Sequence, residues 1–443
     1  PAGHIPVLYA EPIAADQKPK IDGSIVEPVW KTARSVELVR VAPGWPAPVT
    51  QPTTALVCYD DENLYVAFRC REDSMDRIWT NSKTGGPVWS DDCVELFVQS
   101  DPVNRPDFVF HAAVNSIASR VDESGLHDQW TCAAQRQRTE WSVEMAIPFS
   151  VLGTVPAKGE CWGINFNRQE RPHGENSTWG PVRSSFHDSE KYGRIVFGVP
   201  SARVDAFASV SKSDESPGGV QLELSVNEET KGEISIASKW NADEWQTLTV
   251  QSDARNVLLP WPDSLMPGYN KCLLKIQAPG EEPTIISTGR LWIDQGLPLN
   301  SVLWPAEDYD NVLYMADGRM NFLYWLICDT RGGNEGFTAI IEAPRWVEIF
   351  PLAAKGEVGS YPALPNISEF KHEDVVVDNE PVTRVTIKSD SPPWKAPLAE
   401  TAEVRAPFRM WWRATAPKDA QLPLKAKLRF WVSRNGVEEP ARQ

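Results

Sequence analysis

Short runs of alternating apolar and polar residues, each closed by turn-forming residues, recur along the whole chain and predict strands rather than helices. The clearest is TTALVCYDDENLYVAFRC, residues 53–70, where two alternating stretches flank Asp60, Asp61, Glu62 and Asn63 and predict a hairpin. In EWSVEMAIPFSVLG, residues 140–153, Trp141, Val143 and Met145 share one face until Pro148 ends the alternation, with a hint of a helical turn near Ser150. A first boundary is expected after YGRIVFGVP, because the stretch that follows, to SKSDESPGG, is small, polar and turn-rich like a linker or first loop. Between about 204 and 295 the runs shorten to VQLELSV, EISIAS, WQTLTVQ, KCLLKIQ and IISTGRLWI, a spacing that predicts an immunoglobulin-like sandwich. The segment GLPLNSVLWPAEDYDN resets the pattern, and NFLYWLICDT, FTAIIEAP, RWVEIFPLA, VTRVTIKS, FRMWWRATA and LKAKLRFWVS predict another β domain. The expected fold class is all-β: three β-sandwich domains over residues 1–199, 200–296 and 297–443, the second and third immunoglobulin-like or related.

The stretch VWSDDCVELFV, residues 88–98, carries the most concentrated chemistry. On a strand, Asp91, Cys93, Glu95 and Phe97 share one face while Val94, Leu96 and Val98 share the other. The aliphatic face is the packed one, which leaves Glu95 on a face free to meet a ligand. Asp91 and Glu95 on an extended strand would stand roughly 13 Å apart. That separation misses both carboxyl spacings used by ordinary glycosidases, about 5–5.5 Å and about 6.5–9.5 Å. An acid from a neighbouring strand keeps the glycoside hydrolase reading open. Trp89 and Glu95 approach each other only if the chain folds back at Gly85-Gly86-Pro87 and bends at Ser90-Asp91-Asp92.

The formal charge of −16 opposes nucleic acid and anionic membranes as partners, since both are bound mainly through Lys and Arg. No apolar run approaches the 18 or so residues of a membrane span. The seven cysteines lack a C-x-x-C pair and are read as buried apolar residues rather than a zinc site. Most of the 19 tryptophans are assigned to cores and seams because they are spread over all three segments. Asp60 and Asp61 are candidate calcium ligands, with a plain acidic turn as the competing reading. The six histidines lie far apart in sequence without metal-ligand spacing. Pro1 follows no visible leader and reads as a processed terminus or an arbitrary boundary, which leaves export possible; a secreted, periplasmic or cell-surface location is the expectation.

In order, IDGSIVEPVW, YDDENLYVAFRC, VWSDDCVELFV, VNS, EWSVEMAIPFSVLG, CWGINFNRQE, STWGPV and FHDSEKYGRIVF resemble the family 9 carbohydrate-binding modules and their DOMON-type relatives over about residues 5–198. The resemblance implies a curved β-sandwich whose concave face clamps a terminal sugar between two tryptophans, with polar side chains on its hydroxyls and calcium bracing loops. By position, the first clamp tryptophan matches Trp89, the acidic acceptor Glu95, an asparagine on the next strand Asn115, and an amide Asn167. The second clamp position falls at Phe186, with Trp179 nearby as a substitute, and Ala113 stands where the family has arginine.

The expected function is therefore non-catalytic, weak binding of a sugar or oligosaccharide by aromatic stacking. The chain would belong to an exported polysaccharide-degrading protein whose catalytic domain lies in the same or another chain. A glycoside hydrolase with a cleft between domains and a ligand-free structural sandwich are the alternatives.

Overall fold

The structure is a computed structural model that describes residues 4–41, 48–102, 109–182, 186–187, 189–210, 217–241, 244–262, 265, 268–293, 299–305, 320–329, 335–351, 367–390, 404–415, 417, 428–439 and 441. The alternating runs of the first segment become β1 (Ile5–Ala10), β2 (Arg34–Glu37), β3 (Val39–Arg40), β4 (Thr53–Tyr59), β5 (Asn63–Arg71), β6 (Cys93–Gln99) and β7 (Phe110–Asn115). They continue as β8 (Arg120–Asp122), β9 (Thr131–Arg136), β10 (Glu140–Pro148), β11 (Cys161–Glu170), β12 (Glu175–Thr178) and β13 (Gly193–Phe197). One sheet runs β1-β13-β11-β6-β7-β8, with β12 on β11 and β3 on β12; the other runs β2-β4-β5-β10-β9. Val94, Leu96 and Val98 of the first sheet meet Val66, Phe68, Trp141, Val143 and Met145 of the second in one buried core. The period of two thus holds on both layers of a β-sandwich.

The hairpin of residues 53–70 forms as its pattern requires, with Thr53 opposite Cys70 and Tyr59 opposite Leu64. Its turn is held by Asp60, whose Oδ1 accepts the Glu62 and Asn63 N–H groups and whose Oδ2 accepts the Tyr65 hydroxyl at 2.9 Å. Lys18 closes on the same Oδ2 at 3.0 Å. Burial works against the Asp60 charge, but these donors and the lysine hold its carboxyl below the usual value. Asp61 lies exposed in the turn beside it. The calcium reading of this pair therefore meets a carboxylate already taken by a lysine, a phenol and the backbone.

The other strongly patterned stretch explains the IDG sequence near the start. Glu144, buried on β10, accepts the backbone N–H groups of Asp22 (3.0 Å) and Gly23 (2.7 Å) and the indole N–H of Trp30 (2.7 Å). Pro28 opens the short helix α1 (Pro28–Thr32) that carries Trp30 inward. Gly23 has φ +85°, and a Cβ there would lie 2.5 Å from the Ala134 carbonyl carbon. Gly23→Ala should therefore lose about 2 kcal/mol or more to left-handed strain and backbone collision. Denaturant unfolding of the full chain checks this, and an unchanged midpoint would contradict the account.

The described residues divide into two compact units, the first comprising Pro1–Val210, Gly219–Trp261 and Asn270–Leu291. After the sandwich come β14 (Ala202–Val210), β15 (Gly219–Val226), β16 (Glu233–Trp240), β17 (Gln246–Gln251), β18 (Asn256–Pro260), β19 (Gly268–Gln277) and β20 (Thr284–Ile293), all of them wholly or mainly in this unit. The stretch expected as a linker after residue 200 begins instead with strand β14, because Val204 and Phe207 are buried. Ile5 and Pro6 of β1 pair with Phe207 and Ala206, so β14, β15 and β18 extend the first sheet across residue 199 without a break. A separate sheet runs β17-β16-β19-β20.

The second unit consists chiefly of Trp292–Gln443. One of its sheets orders Leu299–Pro305, Met320–Asp329, Val404–Ala414 and Val347–Pro351; another orders Ile367–Val377, Glu380–Ser389, Phe337–Pro344, Arg429–Arg434 and Val437–Glu438. Trp325, Ile341, Ile349, Ile387 and Val432 share its core. Among all the described residues, no helix is long and apolar enough to cross a membrane.

Candidate ligand-binding face

Three strands of the first sheet present a common row of side chains away from the sandwich core. Register places Cys93 beside Asn115 and Gln169, Glu95 beside Ala113 and Asn167, and Phe97 beside His111 and Asn165. Alternation puts the nine on one face, since each strand contributes every second residue. The chain enters β6 through a 3-10 turn, Val88–Ser90, after Gly85 at φ +80°. That turn is the fold-back that brings Trp89 over the row.

The face is covered rather than open, contrary to the expectation from alternation alone. Val88 packs on Cys93 and Ala113 together with Val121, the neighbour of Ala113 on β8, while Val182 and Tyr192 close over Phe97, with Phe186 and Val109 packed alongside. Strand alternation identifies a face, but the cover over Phe97 comes from a segment remote in sequence. Glu95 is only 2% exposed, and both its oxygens are engaged: Oε1 accepts Gln169 Nε2 at 2.7 Å and Oε2 meets His111 Nε2 at 2.7 Å. Trp89 keeps 39% of its surface exposed, its ring centroid 6.4 Å from that of His111.

The remaining acids of the stretch hold loops. Asp91 accepts the N–H groups of Asn81 and Ser82 and the Asn115 amide, and Asp92 accepts those of Trp79 and Arg171. Burial raises the Asp92 carboxyl, partly offset by these donors. Arg171 ties the cover down, donating to the Trp89 and Asp91 carbonyls and to Gln169 Oε1. Trp89 is thus seated by its own backbone, while its indole faces outward.

The matched residues separate into two groups. Trp89, Glu95, Asn167 and Phe186 meet along this face. Asn167 Oδ1 accepts from Asn165, while its buried Nδ2 finds no acceptor among the described residues. Asn115 lies at the end of the row but is spent on structure: Oδ1 accepts Ile117 and Ser119 N–H groups and Nδ2 donates to Asp91. Trp179 turns the other way. Thr178 donates and accepts with Asn165 on the outer face, so its neighbour Trp179 packs on the core side, against Phe166 at 5.6 Å and over Gly193.

His111, absent from the sequence expectation, is the centre of the face. It stacks on Phe97 at 4.1 Å and 7°. Its Nε2 faces Glu95, and its Nδ1 lies 3.1 Å from Glu123. Burial opposes a charge on this imidazole, yet the two carboxylates prevail and raise its pKa to about 9. Glu123 is correspondingly lowered by His111, against burial. His187 completes the group, set edge-on to both His111 (5.2 Å) and Phe97 (5.1 Å). Two of the six histidines that look scattered in sequence, His111 and His187, are brought together by the β6–β7 register and the segment before β13.

Comparison with known proteins gives a match between residues 21–198 and the family described as carbohydrate family 9 binding domain-like. A family 9 carbohydrate-binding module from Caldicellulosiruptor kristjanssonii, solved in complex with cellotriose, is 17% identical, covering 44% of this chain and 95% of its own, with a TM-score of 0.35. A family 9 module structure from the same organism with glucose is 18% identical, covering 44% and 97%, also with a TM-score of 0.35. No curated protein matches the chain.

Proposed function

We propose, from the premise that residues 21–198 form a family 9 carbohydrate-binding-module-like domain, that this domain binds a sugar or short oligosaccharide non-catalytically with Trp89 as its stacking platform. The observation that carries the reading is the seating of Trp89: its backbone carbonyl is tied to Arg171 while its indole stays 39% exposed beside His111. An exposed indole held this firmly supplies a flat apolar surface at little further entropic cost.

One sugar face on one indole buries on the order of 100 Å², worth ~2.5 kcal/mol at ~25 cal/mol per Å². A few polar contacts added to this, less the cost of association, give affinities from about millimolar to micromolar. Such weak binding suits a module attached to an exported polysaccharide-degrading assembly, where tethering multiplies the effect.

Calorimetric titration with glucose, cellobiose, xylobiose and longer glycans tests the reading. Trp89→Ala should weaken binding by about 2.5 kcal/mol, roughly 70-fold, without shifting the unfolding midpoint. Flat traces for every sugar at millimolar concentration, or equal affinity in the variant, would overturn it.

A further inference from the structure

The group around His111 has a geometry that the sugar reading does not use. One donor atom each from His111, Glu123 and His187 lies within 4.8 Å of the others. His111 Nδ1 is 3.1 Å from Glu123 Oε1, and His187 Nε2 is 3.9 Å from the same oxygen. Donors 2.0–2.1 Å from a tetrahedral zinc ion stand about 3.3 Å apart, so these separations bracket the required value. We propose that His111, Glu123 and His187 form a binding site for a divalent transition-metal ion of the zinc class.

The first independent support is the way His111 is held. A metal-ligating imidazole characteristically gives its other nitrogen to a carboxylate, which fixes the ring and strengthens the donor. Here Nε2 is engaged by buried Glu95, itself fixed by Gln169, and the ring lies flat on Phe97. A second support is the state of Nδ1. It is buried and makes no hydrogen bond of acceptable geometry among the described residues, despite its 3.1 Å approach to Glu123. This buried nitrogen is therefore left without a hydrogen bond, and it is the atom that a metal ion would take up in exchange for its proton. His187 and Glu123 are each about half exposed, at 55% and 50% of their side-chain surface, which gives an ion a path from solvent.

The donor set selects the kind of metal. Two imidazole nitrogens and one carboxylate suit zinc and its transition-metal neighbours, whereas calcium takes six to eight oxygens. Three protein ligands leave a further coordination position to water. Another trio, Glu72, Glu170 and His173, also approaches ligand distances. Its carboxylates, however, are engaged: Glu170 accepts the His173 and Glu175 N–H groups, and Glu72 binds Arg168 and the Ser74 N–H. That trio serves as the internal control.

The proposal does not depend on sugar binding. The full chain, stripped with a chelator, is titrated calorimetrically with zinc chloride, and cobalt(II) substitution reads the coordination geometry by its visible absorption. About one ion per chain should bind, with a tetrahedral-type cobalt spectrum. His187→Ala and Glu123→Ala should each weaken zinc binding at least about tenfold and remove the spectrum. Glu95→Gln, which removes the carboxylate behind His111, should weaken it by about 10–100-fold. His173→Ala should leave it unchanged. An unchanged unfolding midpoint for metal-free His187→Ala separates ligand loss from misfolding. Absence of zinc binding tighter than millimolar, equal affinity in both ligand variants, loss in His173→Ala, or displacement by an equal concentration of calcium would each overturn the assignment.

Discussion

Glu144→Ala is expected to destabilise the first domain by about 3 kcal/mol or more, since it leaves three donors without an acceptor. The Asp22 and Gly23 N–H groups and the Trp30 indole all converge on this one carboxylate. A buried donor stripped of its partner loses about 1–3 kcal/mol, and the segment carrying Trp30 cannot turn toward solvent without opening the apolar cluster of Val29, Leu56 and Tyr65. Denaturant unfolding followed by tryptophan fluorescence reads the loss. A change under about 1 kcal/mol would show that water replaces the carboxylate and that the strap does not depend on it.

Glutamine at the same position divides the charge from the hydrogen bonds. Its amide oxygen still accepts, but its NH₂ faces a donor, so one of the three partners is lost and about 1–2 kcal/mol goes with it. The pH dependence follows from burial, which lifts the Glu144 carboxyl above its ordinary 4.5 although the three donors pull it down. Between the ordinary and the folded value the folded chain holds more protons than the unfolded one, so this group's stabilisation is complete at acid pH and declines as pH rises through the folded value. Glu144→Gln has no such dependence. The gap between wild type and Glu144→Gln should therefore be widest at the acid end and narrow as pH rises from 4.5.

How far the sequence discloses this protein depends on how local each feature is. The β4–β5 hairpin and β10 were legible because a strict period of two and a cluster of turn residues are written within 20 or so positions. Strands Leu299–Pro305 and Ile367–Val377 were not: the first lies in a stretch read as a boundary, and the second mixes exposed charges with few buried positions. The fold-back that carries Trp89 to His111, the neighbour of Glu95, could be inferred, because an extended chain would have held Trp89 and Glu95 about 20 Å apart. The cover on Phe97 could not, since Val182 and Tyr192 come from the remote segment that leads into β13. His111 was hidden for the same reason: its place depends on the register across the connection between β6 and β7, which no local pattern specifies. Trp179 was recoverable in principle, because alternation on β12 sends it to the face opposite Thr178.

Arg168→Ala is expected to lose about 3–5 kcal/mol, the range for removing one partner of a buried ion pair. Arg168 sits on β11 between Asn167 and Gln169, and its side chain takes the opposite direction from theirs, away from the ligand-facing row. Its guanidinium bonds Glu72 at 3.0 Å, the Gln51 and Arg71 carbonyls and the Thr53 hydroxyl, and lies 5.7 Å from the Trp141 ring centroid. The strand that supplies Asn167 and Gln169 is thereby fastened to the adjoining ends of β4 and β5 in the opposing sheet. Burial already raises the Glu72 carboxyl, with Arg168 holding it down in part. Losing the cation leaves that acid to be buried alone or protonated. Adding Glu72→Gln to Arg168→Ala should therefore restore part of the loss, which a double-mutant cycle reports as favourable coupling. Strictly additive losses would mean that the bonds to carbonyls, and not the ion pair, join the two sheets behind the ligand face.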